Sequence, residues 1–141
     1  MREILFRGKR PNGQWVQGDL TLYRIDEKVI SKISFHQTRA TLNGLRTATY
    51  TDDVIPETIG QYTGLTDKNG TKIFEGDILE FSDRIVVVFW HSHLGCWDSN
   101  FLKFTNKENG RDDMSPHSWD FKSKVIGNIH DNPELLKERD T

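Results

Sequence analysis

Arg7, Lys9, Arg10 and Trp15 bring three cations and an indole into one short stretch near the start of the chain. That combination suits a single nucleic-acid strand, because cations track phosphates and an aromatic face stacks on a base. The competing reading puts Trp15 in the core and leaves the three cations solvated on a hairpin. A second group, His91, His93 and Cys96 with Asp98 nearby, has metal-ligand side chains. Residues two apart on a strand share a face, so the imidazoles could reach one ion, with Cys96 as a third ligand. The other half of such a site is missing: neither a CxxC nor an HExxH pattern occurs. The expectation is therefore no metal and no other cofactor. The alternative reading of these residues is as polar groups at a strand end.

Asp19 and Asp77 each follow a glycine, and Glu75 lies beside Asp77. Paired carboxylates can do acid–base work or hold Mg²⁺. An aspartate in a turn more commonly accepts a hydrogen bond from the backbone two residues on, and that local role is the one expected here. No nucleophile elbow is present, and Gly8, Gly13 and Gly18 are spread along a hairpin rather than gathered before a helix as a phosphate loop requires. No catalytic residues are assigned, and the chain is expected not to be an enzyme.

The elements that position these residues read as β-structure. Each of the four Asn-Gly dipeptides, at 12–13, 43–44, 69–70 and 109–110, falls between strand-like runs. Asn69-Gly70 suits a type I′ hairpin turn, and the four together make the chain read as a succession of antiparallel hairpins. Strands are expected at Ile4–Phe6, from Trp15 and at Val29–Phe35. Further strands are expected at Ile59–Thr63, at Lys72–Phe81 with an interruption or bulge at Gly76-Asp77, and at Arg84–Trp90, the last being the most buried, and then around Asn100–Phe104 and over Trp119–Ile129. Residues 38–51 hold few apolar side chains and read as an exposed excursion, and residues 107–118 read as a loop. Asn132, Pro133 and Glu134 suit the start of a helix, with Leu135 and Leu136 turned inward and Lys137 and Arg139 at its end. The fold class is mainly β: antiparallel hairpins forming one or two coupled small sheets or SH3-like half-barrels, with a short C-terminal helix.

A chain of 141 residues, 35% hydrophobic and 28% charged, holds a core of ordinary size and is expected to form a single domain over 1–141. Eight Phe, four Trp and three Tyr point to a core built on aromatics. Cys96 is the single cysteine, so no internal disulfide supports the fold and a reducing compartment suits it. The first ten residues carry only three consecutive apolar side chains, which is neither a secretory signal nor a membrane span. The expected location is the cytoplasm. The net charge of −2 divides unevenly, as +5 over residues 1–50, −5 over 51–80 and −2 over 81–141. The basic third either meets nucleic acid or faces the acidic third, within the fold or across a dimer.

Three blocks carry a resemblance. The first is Phe6-Arg7-Gly8-Lys9 with Trp15 and Gly18-Asp19. The second runs from Val54 to Leu65 and continues through Asp67-Lys68-Asn69-Gly70 to Ile73-Phe74-Glu75-Gly76-Asp77-Ile78. The third is Val125-Ile126-Gly127-Asn128-Ile129 with Asn132-Pro133-Glu134-Leu135-Leu136. Together they resemble the YopX-like family of phage and prophage proteins. The resemblance implies a small, mostly β protein in the bacterial host cytoplasm and brings no catalytic residues. The functional expectation is a non-enzymatic accessory protein that binds an unidentified protein partner of phage or host and self-associates into a homo-oligomer. The alternative is a nucleic-acid-binding domain that uses the basic first hairpin.

Overall fold

The computed structural model describes residues 2–105 and 115–136. The chain divides into two compact units, residues 1–61 and 62–141. Every strand pairing is antiparallel, and among the described residues no sheet closes into a barrel.

In the first unit, β1 (Phe6–Lys9), β2 (Trp15–Ile25), β3 (Lys28–Thr41) and β4 (Gly44–Asp53) lie in the order β4-β3-β2-β1. The first residues of β5 (Gly60–Thr66) add beside β1. Alternation along the strands selects one face for burial. Val16, Ile33 and Val54 form its core, with Phe6, Leu20 and Ile59 packed against them. Gly18 is required by that packing, since a Cβ there would lie 2.1 Å from the carbonyl oxygen of Ser34. After Ile55, which is extended as its place before proline predicts, Pro56–Thr58 forms a 3₁₀ turn. The Thr58 hydroxyl fastens this turn to β1, donating to the Ile55 carbonyl at 2.6 Å and accepting from the Lys9 N–H at 2.8 Å.

In the second unit, the rest of β5 pairs with β6 (Lys72–Phe74). A sheet of order β10-β7-β8-β9 contains β7 (Asp77–Glu80), β8 (Arg84–His91), β9 (Cys96–Phe104) and β10 (Lys124–Asn128). Ile73, Leu79, Phe81, Val86, Val88 and Trp119 make its core. The interruption expected at Gly76-Asp77 in the return strand over Lys72–Phe81 divides it into two strands with different partners. They are separated at Gly76, whose φ of +88° is a left-handed conformation suited to glycine. The most buried strand is β7 and not the apolar run of β8. β7 is flanked by β10 and β8, whereas Phe89–His91 run past β7 and pair with β9 alone.

Two further expectations are corrected here. Trp119–Lys122 is a short helix, α1, entered through a 3₁₀ turn at Pro116–Ser118, and the last strand begins only at Lys124. α1 buries Trp119 completely. The short C-terminal helix expected from Pro133 is present as a 3₁₀ helix over Pro133–Leu136, but Leu136 is exposed rather than turned inward. Lys137, Arg139 and the Asn109-Gly110 dipeptide lie outside the described residues. The turn at Asn69-Gly70 is not type I′, since Gly70 has positive φ and Asn69 does not, and the turns at Gly13 and Gly44 likewise have positive φ at the glycine but not at the asparagine before it. One left-handed residue per turn is the arrangement of a hairpin closed by a glycine bulge.

Candidate functional site

The β1–β2 register places Lys9 opposite Trp15 and Arg7 opposite Gln17, so Arg7, Lys9 and Trp15 share one face. The Arg7 guanidinium carbon lies 4.7 Å from the Trp15 ring centroid and the Lys9 ammonium 5.4 Å from it. These distances are those of cation–π contacts. Arg10 faces elsewhere: its Nη2 donates to Asp52 Oδ2 at 2.6 Å and its Nη1 to Gln14 Oε1 at 3.0 Å. Three of the four residues picked out for nucleic-acid binding are therefore gathered, with cations over the indole, and the fourth is held in an ion pair.

His91 and Cys96 lie opposite each other across β8 and β9, and the His91 and His93 rings are 6.3 Å apart. His91 Nδ1 accepts the Leu94 N–H at 3.2 Å, and Cys96 is exposed. Among the described residues, no three His, Cys, Asp or Glu side chains are placed to hold one ion. His91, His93 and Cys96 therefore do not assemble as a set of ligands. Asp19 is exposed in β2, while Asp77 is buried and its Oδ2 accepts the Phe74 N–H at 2.7 Å. The turn role predicted for aspartate is carried by Asp67, whose Oδ1 accepts from the N–H groups of Asn69 and Thr71 at 2.9 Å.

A different group emerges from β3 and β4. Every residue from His36 to Thr51 is exposed, so these strands continue beyond the sheet as a two-stranded arm with solvent on both faces. Six residues of β3 beyond Phe35 give it a reach of roughly 20 Å. One face carries the hydrogen-bonded pairs Ser34–Thr51, His36–Thr49 and Thr38–Thr47, at 2.9, 2.8 and 2.9 Å. On the other face Phe35 stacks on Tyr50 with centroids 5.2 Å apart, and beyond them an open groove of about 420 Å³ is lined by Gln37, Arg39, Arg46, Ala48 and Tyr50 among others. Arg39 and Arg46 stand directly opposite each other. Among the described residues, neither has a carboxylate within ion-pairing distance.

A family model described as YopX protein matches residues 5–137 of the chain. The chain belongs to the YopX family. The YopX match takes in the first hairpin, the arm and the second unit. No curated protein matches the chain. The crystal structure of protein EF1440 from Enterococcus faecalis is similar to this YopX-family chain, with a TM-score of 0.56 over 97% of this chain and 100% of that one. At 24% identity the likeness is one of fold.

Sequence reasoning expected residues 38–51 to be exposed and passed over Arg39 and Arg46. A signal was nonetheless present: no Asp or Glu occurs between Glu27 and Asp52, an interval holding Lys28, Lys32, Arg39 and Arg46. Among the described residues, no helix is long and apolar enough to cross a membrane.

Proposed function

We propose that this YopX-family chain is a phage- or prophage-encoded accessory protein that works in the host cytoplasm as a non-catalytic binding module, contacting a macromolecular partner through the β3–β4 arm. The observation that carries this reading is the exposure of both arm faces from His36 to Thr51. A two-stranded hairpin gains little stability of its own in water, so an extension of this length is maintained for what it touches. Among the described residues β9 is the end strand of the second unit's sheet, and a second copy pairing along it would give a homo-oligomer while leaving the arm two-stranded. Light scattering on the purified protein measures that association directly.

The test of the arm is site-specific photo-crosslinking in the host cell from Leu45, on the arm, compared with Leu94, an exposed position in the second unit. The reading expects one reproducible macromolecular adduct from Leu45 that Leu94 does not give. Identical adducts from both positions, or none from Leu45, would overturn it.

A further inference from the structure

We propose that the partner of the arm is duplex DNA, with the ribbon lying in the major groove and its Arg39–Arg46 face toward the base edges. This rests on the reading of the arm as the binding element and names the chemistry it recognises. The argument begins with a local conflict. Residues directly opposite on antiparallel strands have Cβ atoms about 5 Å apart, and like charges there oppose hairpin formation. Arg39 and Arg46 occupy such a pair in the register. The usual relief is a neighbouring carboxylate, and among the described residues none is within ion-pairing distance of either. The acids at the base of the arm are already engaged, Asp52 with Arg10 at 2.6 Å and Asp53 with Lys32 at 3.0 Å. The arm from His36 to Thr51 thus carries positive charge and no carboxylate, and what relieves Arg39 and Arg46 is an anion from outside the chain.

Shape and side-chain type choose among anionic partners. The major groove of B-form DNA, about 12 Å wide, admits a two-stranded β-ribbon. A ribbon that enters it needs both faces exposed, and this one has them. The groove-lining face offers Arg39, Arg46 and Gln37, which are the side-chain types that form paired hydrogen bonds with guanine and adenine edges. The opposite face offers the row of hydroxyls and His36, groups that contact phosphate oxygens. A-form RNA has a deep, narrow major groove that closes out such a ribbon, so the same geometry predicts discrimination against duplex RNA.

The experiment is fluorescence anisotropy of the full chain with a labelled DNA duplex of about two helical turns, the matching single strand and the matching RNA duplex, at about 50 and about 200 mM salt. Duplex DNA is expected to bind best. With Arg39 and Arg46 on base edges, loss of their paired hydrogen bonds should lower duplex affinity in R39Q/R46Q by about a hundredfold at about 50 mM salt. R39K/R46K should retain the salt slope, and R7Q/K9Q should bind as the unaltered chain does. No duplex binding at low salt, undiminished binding by R39Q/R46Q, loss confined to R7Q/K9Q, or preference for the single strand or RNA duplex would each overturn the proposal. Circular dichroism of each variant keeps loss of fold from being read as loss of contact. Arm-dependent crosslinks to a protein, with no DNA binding, would overturn the DNA assignment and leave the binding-module reading standing. Crosslinks that do not depend on the arm would remove both.

Discussion

The buried carboxylate of Asp67 accepts the Val125 N–H on its Oδ2 at 2.9 Å, across 58 positions of sequence. Its other oxygen closes the turn through Asn69 and Thr71. One side chain therefore both shapes the β5–β6 turn and fastens it to the strand that ends the second sheet.

Asp67→Ala leaves three backbone donors without that acceptor and should destabilise the protein by about 2–4 kcal/mol in urea unfolding. Asp67→Asn keeps one carbonyl oxygen and should lose less. Equal losses for the two variants would show that the turn bonds and the Val125 bond do not act separately.

Arg84 holds the adjacent Asp83 in a two-point contact, Nε to Oδ1 at 3.0 Å and Nη2 to Oδ2 at 2.6 Å. The hydrogen bond from Arg84, with its charge adding to it, keeps the Asp83 carboxyl below its ordinary value of 3.8. A carboxylate depressed in the folded state contributes stability above its unfolded value and loses it as pH falls through the lower folded value. Stability measured from pH 6 downward should therefore fall more steeply for the unaltered protein than for Asp83→Asn in the acid region; parallel curves would exclude the linkage.

Gly13 and Gly18 should fail as alanine for different reasons. Gly13 has φ of +88° with open space around it, so Gly13→Ala should cost about 1 kcal/mol and Gly13→Asn less, since asparagine tolerates that conformation. Gly18→Ala drives a methyl into the Ser34 carbonyl and should cost about 1–3 kcal/mol, with Gly18→Asn no better. Thermal unfolding of the four variants checks the pattern.

Trp119→Ala empties a fully buried site and should cost about 3–5 kcal/mol, while Phe121→Ala, at 59% exposure, should change stability by less than about 0.5 kcal/mol. A strand over these residues would put both side chains on one face, so equal losses would contradict the helix.

Replacing residues 38–47 by a two-residue turn removes only exposed arm and should leave the unfolding midpoint within a few degrees. A large fall would mean that the arm packs against the body.

Local chemistry determined much of this protein in advance. Partial alternation in Val29–Phe35, the continuous apolar run of Arg84–Trp90, turn glycines at 13, 44 and 70, and proline at 56 act over a few residues, and with the thin apolar content of residues 38–51 they specified antiparallel hairpins and an exposed excursion. Family membership was legible from the same blocks. What only the tertiary structure decided involves partners distant in sequence. Arg10 has local neighbours of no special kind, yet its charge is spent on Asp52, 42 positions away. Trp119 is as compatible with a strand as with a helix, and α1 carries it into the apolar core around Ile73 and Val86. β7 outranks the more apolar β8 in burial because it has a neighbour on both sides along its length, whereas Phe89–His91 of β8 extend past β7 and pair with β9 alone, a property of register and not of composition. Arg39 and Arg46 are opposed by a turn at Asn43-Gly44 that the sequence marks, but that no carboxylate among the described residues reaches either follows from where Asp52 and Asp53 are held, by Arg10 and Lys32 at the base of the arm.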